Sequence, residues 1–236
     1  MRTLNVDGLR FAVETPVEHW RVQTLLTKEE GTIRWLQRVC RPDDIFLDVG
    51  ANIGIYTIFA ARLVRYVIAV EPHLGNAISL LKNVDLNDGR VMVVTDALGD
   101  ITGWFPFHYQ SLVAGTSGSQ LGHTRLEDGG EFRPARTVSK FTTTVDALGF
   151  EPTLVKIDVD GNEPDILRGM AKLLTQRPPR SIQVEVHRDT RDLLDTMLTA
   201  YGYRLVERHH TAQGKKRIAD GAAELDVAHN AVYEVI

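Results

Sequence analysis

The sequence predicts an α/β protein built on a doubly wound, mostly parallel sheet. Three observations carry that expectation. Residues 45–54, Ile-Phe-Leu-Asp-Val-Gly-Ala-Asn-Ile-Gly, read as a buried strand entering a glycine turn. Residues 67–71, Val-Ile-Ala-Val-Glu, read as a strand ending on a carboxylate. Downstream, apolar runs of strand length alternate with stretches of helical period, the pattern of strands joined by crossover helices.

Residues 1–40 precede the first core strand and read as an accessory segment; residues 41–236 form the main domain. In the accessory segment Thr27 and Glu30 have the spacing of a capping box, opening a helix striped by Ile33, Leu36, Val39 and Cys40. Before it, residues 10–13 and 20–26 suit short strands. Core strands are expected at 45–49, 66–70, 91–94, 154–157 and 182–186, with a closing hairpin from 203–207 and 231–235. Helices between them carry Ile55, Ile58 and Phe59; then Leu74, Ala77, Ile78, Leu81 and Val84; then Ile166, Leu167, Met170, Leu173 and Leu174; then Leu193, Leu194, Met197 and Leu198. The Asn-Asp-Gly at 87–89 closes the second of these, and Pro164 suits the first turn of the third. Residues 101–140 break the rhythm with Gly- and Ser-rich stretches at 114–119 and 127–131. A loop this long in a compact domain is usually functional, and it reads as a lid with a hairpin through 104–109 and 136–144.

Composition excludes several classes. The 236 residues are 43% hydrophobic, enough for a full core. No apolar run approaches the ~20 residues that cross a bilayer. The opening residues carry Arg2, Asp7, Arg10, Glu14 and Glu18, which leaves no apolar signal segment. Cys40 is alone, so no internal disulfide forms, which fits a reducing cytoplasm; a buried apolar role suits it better than a nucleophilic one. A net charge of −4 offers no global attraction to nucleic acid. His209-His210 with Lys215-Lys-Arg217 forms a local basic patch that reads as solvated surface.

In a doubly wound sheet the ligand lies beyond the carboxyl ends of the strands. The residues there are Asp48 and Gly50, Glu71, Asp96, Asp158 with Asp160, and His187. A dinucleotide site shows three glycines as G-x-G-x-x-G. Here Asp48-x-Gly50-x-x-x-Gly54 has two, with an acid that repels pyrophosphate and suits an amino-acid ammonium. S-adenosylmethionine has that ammonium and no phosphate. Glu71 is the expected ribose ligand, Asp96 a partner for adenine or a turn aspartate, and Asn52 a ligand of the amino-acid end or a helix cap. His187, which titrates near neutrality, is the candidate base for a methyl transfer to oxygen, or else a structural histidine bonded to a carboxylate such as Asp189. Asp158 and Asp160 orient it or bind the acceptor. Their D-x-D-x-N spacing resembles a calcium loop, but the positions that need Gly and Glu hold Glu163 and Gly169, so that reading fails; a magnesium site using Asp158 with groups near His187 and Asp189 stays open, and no metal is assigned.

The blocks at 46–57, 69–72, 143–148 and 155–163, continuing through Leu167-Arg-Gly169 to 182–186, resemble the FkbM-like methyltransferases. The resemblance implies a Rossmann-like, seven-stranded class I fold with strand order 3-2-1-4-5-7-6 and an antiparallel last strand. It also implies S-adenosylmethionine as cofactor and O-methylation of a saccharide or natural-product hydroxyl. The family usually has Glu where Asp160 stands, and a small or aromatic residue where Asn162 stands. Two other readings stay open: an RNA or protein methyltransferase of the same fold, and a non-catalytic S-adenosylmethionine-binding module. The sequence leaves a homo-oligomer open.

Overall fold

The computed structural model describes residues 2–87, 89–126 and 130–236. Asp88 of the expected 87–89 turn and residues 127–129 of the second Gly-rich stretch lie outside the described residues.

A hairpin opens the chain, β1 (Arg2–Val6) against β2 (Leu9–Val13), turning at Asp7 and Gly8, both with positive φ. The expected strand at 20–26 is instead part of α1 (Pro16–Gln23) and the turns after it. The capping box sits at Thr15 and Glu18 rather than at Thr27 and Glu30. Thr15 Oγ1 accepts from the Glu18 N–H at 3.1 Å, and Glu18 Oε2 accepts from the Thr15 N–H at 2.7 Å. Pro16 follows at the position where its missing N–H costs nothing. α2 (Glu30–Val39) starts without a side-chain cap. It is latched to the sheet by two buried bonds: Trp35 Nε1 donates to Ser181 Oγ at 2.9 Å, and Gln183 Nε2 donates to Thr32 Oγ1 at 3.0 Å.

The core then follows the predicted rhythm: β3 (Ile45–Val49), α3 (Ile55–Ala61), β4 (Tyr66–Val70), α4 (Leu74–Leu86) and β5 (Val91–Val94). An insertion forms a second sheet in the order β6-β9-β7-β8, from β6 (Ala97–Leu98), β7 (Gly103–Tyr109), β8 (Gln120–Leu121) and β9 (Arg136–Thr143). β7 and β9 are the predicted hairpin, pairing antiparallel from Gly103↔Thr142 to Tyr109↔Arg136. The rhythm resumes with β10 (Leu154–Ile157), α5 (Glu163–Arg168), α6 (Ala171–Gln176), β11 (Ser181–Val186), α7 (Arg191–Ala200), β12 (Tyr203–His209), α8 (Ala212–Ala219) and β13 (His229–Val235). The main sheet runs β12-β13-β11-β10-β3-β4-β5, parallel from β11 to β5, with β13 antiparallel to both neighbours.

Period-2 alternation assigns the two faces. Leu47, Val49, Ile68, Val70, Val155 and Ile157 pack with Ile166, Leu167, Leu173, Leu174, Leu194 and Leu198 of α5–α7. Phe46, Val67 and Leu154 face the other way, into one core with Phe11, Val22, Trp35, Leu36, Ile58 and Phe59. The N-terminal segment therefore completes the sheet's second face. Two predicted helices differ in detail. The helix through Ile166 and Leu173 breaks into α5 and α6 at Gly169, where a Cβ would meet the Gly99 carbonyl oxygen at 2.0 Å. Asp146 then caps α6 by accepting from the Lys172 and Leu173 N–H groups. On α4 the buried face is Asn76, Ala77, Ser79, Leu80 and Asn83, while Leu74, Ile78 and Leu81 are exposed. Polar side chains bury there because they bond the N-terminal segment and the glycine loop: Asn83 Oδ1 accepts from the Ala12 N–H, and Asn83 Nδ2 donates to the Ile53 carbonyl. Among the described residues no helix is long and apolar enough to cross a membrane.

Candidate active site

The turn after β3 exists because two glycines stand where no side chain fits. Gly50 has φ +81°, and a Cβ there would lie 1.9 Å from the Asp158 carbonyl oxygen at the end of β10. Gly54 has φ +85°, and a Cβ would reach Leu80 Cδ1 at 2.3 Å. Between them Asn52 also takes a positive φ, 53°. Its N–H donates to Glu71 Oε2 at 2.7 Å, while the His73 N–H donates to Glu71 Oε1 at 2.8 Å. Glu71 is thus fixed at the end of β4, almost wholly buried, on the wall of a cavity of about 400 Å³. Burial pushes its carboxyl up to about 7 against those two N–H donors.

The insertion roofs this cavity. The Thr116 carbonyl accepts from Asn52 Nδ2 at 2.9 Å and Asn76 Nδ2 at 3.1 Å. Asn76 Oδ1 takes the Gly115 N–H at 2.7 Å, and Asp160 Oδ2 the Gly118 N–H at 2.7 Å. The N-terminal segment joins in: Thr15 Oγ1 donates to the Ala114 carbonyl at 2.9 Å, and Arg21 Nε donates to the Gly115 carbonyl. The Gly- and Ser-rich stretch at 114–119 is therefore pinned from three sides.

The opposite side is charged, with Asp158 on the wall and Asp48 and Lys156 behind it. Asp48 and Lys156 are register partners on β3 and β10. The Lys156 ammonium is buried, 2.7 Å from Asp158 Oδ2 and 3.7 Å from Asp48 Oδ1, and it stands over the Tyr56 ring at 5.4 Å. Burial opposes its charge, but Asp158 and then Asp48 outweigh burial and hold it above the usual lysine value. Burial likewise works against the Asp158 carboxylate, and Lys156 prevails, leaving it below the usual range. Asp48 is raised by burial in spite of Lys156 and of a 2.6 Å bond from Thr57 Oγ1.

Farther along, three more carboxylates meet one imidazole. Asp160 is pushed up to about 6, by burial first and then by Asp158. Glu185 is raised to about 7, by burial and by Asp158. Glu163, fully buried at the start of α5, is raised to about 8, by burial and by Glu185. His187 Nε2 lies 3.2 Å from Glu185 Oε2.

Gly50, Asn52, Glu71, Asp158, Asp160 and His187 line the one cavity, whereas Gly54 does not and stands against Leu80 of α4. Asp48 does not line it: it lies beneath the loop, and the ammonium beside it belongs to Lys156. Asp96 does not line it either, although its neighbours Ala97 and Leu98 do. Asn52 spends its side chain on Thr116 and on the Ile53 N–H rather than on the cavity. His187 pairs with Glu185 rather than Asp189, because residues two apart on a strand share a side. His209 is buried, against Gly31 of α2, so the expected surface patch holds only in part; Arg217 lines the cavity. Sequence reasoning missed Arg21, Lys156, Glu163 and Glu185. The one available signal was the alternation Glu185-x-His187, which puts both groups on the same side of β11.

A model of the methyltransferase FkbM domain matches residues 48–205. A curated relative, the hexuronic acid methyltransferase AglP of Haloferax volcanii, is 28% identical over 75% of this chain and 70% of its own length. Among solved structures, a putative rRNA methylase from Clostridium thermocellum superimposes with a TM-score of 0.51 at 12% identity, over 89% of this chain and 96% of that one. Trm5b from Pyrococcus abyssi gives 0.52 at 8% identity over 98% of this chain, which spans only 55% of that protein. These two likenesses concern the fold alone. With the FkbM match running from the end of β3 into the start of β12, this chain belongs to the methyltransferase FkbM domain family.

Proposed function

We propose that the protein transfers a methyl group from S-adenosylmethionine to a hydroxyl of a saccharide, with hexuronic acids as the first class of acceptor. The observation that carries this reading is the continuity of the cavity. One cavity is lined by Gly50 and Glu71, by Asp158, Asp160 and His187, and by Trp20, Arg21, Lys28 and Arg217. The first group fits the nucleoside: Gly50 leaves room that a Cβ would fill, and each Glu71 oxygen has one N–H donor and spare lone pairs for ribose hydroxyls. The last group suits an anionic sugar. Trp20 is 48% exposed, with the Lys28 ammonium 6.0 Å from its ring centre, and Arg21 and Arg217 line the same cavity, cationic side chains that suit a carboxylate; Lys28 also pairs with Glu29 at 2.6 Å. The relative from Haloferax volcanii is named for a hexuronic acid methyltransferase, which supports that choice.

When bound, S-adenosylmethionine supplies an electrophilic methyl: the acceptor oxygen attacks its carbon, the S–C bond breaks with its electrons staying on sulfur, and the hydroxyl proton leaves. The chain's residues handle position and proton. Asp158, held ionised by Lys156, is a poor base but a good acceptor of a hydrogen bond from a sugar hydroxyl. Asp160 and the Glu185–His187 pair stand on the same wall, and these groups receive the proton. The roof at 114–119 limits water around the transfer.

The test is incubation with labelled S-adenosylmethionine and a panel of hexuronides and neutral hexosides. The expected product is a base-stable methyl ether, formed faster on hexuronides. A base-labile methyl ester, or transfer to RNA but to no sugar, would contradict the reading.

A further inference from the structure

The acid-rich wall gathers more carboxyl groups than the reaction needs. Lys156 faces two carboxylates, Asp48 and Asp158, so it leaves nothing for the next group. That group is Glu163, Glu185 and His187, contributed by α5, the end of β11 and the residue just past it. One donor atom from each lies within 4.8 Å of the others. Glu163 is 0% exposed, and among the described residues its Oε2 is buried with no hydrogen-bond partner; Oε1 takes the Gly161 N–H at 3.2 Å. A buried carboxylate oxygen left unpaired costs the full loss of its hydration. Glu185 and His187 line the cavity in front of it.

We propose that Glu163, Glu185 and His187 form a divalent-cation site at the inner wall of this cavity. Two carboxylates and one imidazole suit an ion such as Mn²⁺, and three protein donors leave coordination positions open. Donors around one ion at about 2.1 Å stand roughly 3–4 Å apart, so the group needs only small side-chain shifts to close. The Glu185–His187 separation of 3.2 Å already has that spacing.

The consequence for catalysis rests on the acceptor-site reading above. The open positions face the cavity, where a sugar hydroxyl and a neighbouring oxygen can chelate the ion. A coordinated hydroxyl loses its proton more readily, and with His187 engaged as a ligand the proton passes to Asp160 on the same wall. A cation also explains how a wall of carboxylates accepts an anionic sugar.

The experiment is a Mn²⁺ titration of the full chain stripped with chelator, followed by the electron-spin signal of free Mn²⁺. Neither S-adenosylmethionine nor acceptor is present, so the result stands apart from the methyl-transfer reading. The wild type should take up one Mn²⁺ per chain. Glu163→Gln and Glu185→Gln should each weaken it at least tenfold, and Asp165→Asn, at a half-buried acid of the same helix paired with Arg168, should not. Should Glu163→Gln fail to fold by circular dichroism, His187→Gln, at the partly exposed cavity wall, carries the test. No uptake by the wild type below millimolar Mn²⁺ overturns the site. So does equal uptake by the ligand variants, or an equal loss in Asp165→Asn.

Discussion

The two walls of the cavity are built on opposite plans. On the β3–β4 side, backbone does the work: Gly50 and Gly54 open the turn, and the N–H groups of Asn52 and His73 fix Glu71. On the β10–β11 side, charge does the work: Lys156 ties Asp48 to Asp158, and Asp160, Glu163, Glu185 and His187 crowd together beyond it. The first plan presets one shape for one ligand. The second stores electrostatic potential that an acceptor, a proton or a cation can tune. Under the function proposed above, the first plan would serve the cofactor and the second the acceptor.

The largest expected effect tests the charged wall. Lys156→Met keeps the volume but strands two carboxylates in a buried site. Breaking such a group typically costs about 3–5 kcal/mol, which in a chain of this size lowers Tm by roughly 6–20 °C. Thermal unfolding at neutral pH measures it. A variant as stable as the wild type would show that Asp48 and Asp158 are neutral without their lysine, and the contrast between the walls would weaken.

A smaller effect sharpens the backbone wall. The Glu71 carboxyl is raised to about 7, chiefly by burial, with Asp160 adding to it and Arg21 opposing. Its sign follows from linkage: a carboxyl raised on folding stabilises the fold below its unfolded value and loses that contribution as pH rises through the folded one. Ribose hydroxyls need the ionised form as acceptor, so binding runs the other way. Affinity for S-adenosylmethionine should fall about tenfold, roughly 1.4 kcal/mol, on going from pH 8 to pH 6. Glu71→Gln should bind more weakly and lose that slope. Calorimetry over the pH series checks both.

The difference between the walls also sets what the sequence discloses. The glycine loop, the Glu71 strand end and the strand–helix rhythm are local: a few adjacent residues carry each, and period and spacing suffice. The charged wall joins β3, β10, α5 and β11, so Lys156 looks like any strand lysine until its register with Asp48 is known. Glu163 looks like a helix-start acid until its buried, unpartnered oxygen is seen. Asp48 differs from expectation for the same reason: its place on the strand is local, but its pairing with Lys156 beneath the loop depends on the neighbouring strand. In the N-terminal segment, Thr15-Pro-Val-Glu18 and Thr27-Lys-Glu-Glu30 both have the box spacing. Proline at the first helical position decides for the former, and the turn at 24–29 takes the latter.

The separation of the two walls can be measured directly by calorimetric titration of S-adenosylmethionine into the wild type, Glu71→Ala and Glu185→Gln. The account predicts at least tenfold weaker binding for Glu71→Ala with the fold intact, about 1.4 kcal/mol or more. It predicts affinity within about threefold of the wild type for Glu185→Gln, under 1 kcal/mol. Unchanged affinity in Glu71→Ala, or equal losses in both variants, would contradict a cofactor half built on Glu71 and an acceptor half built on charge.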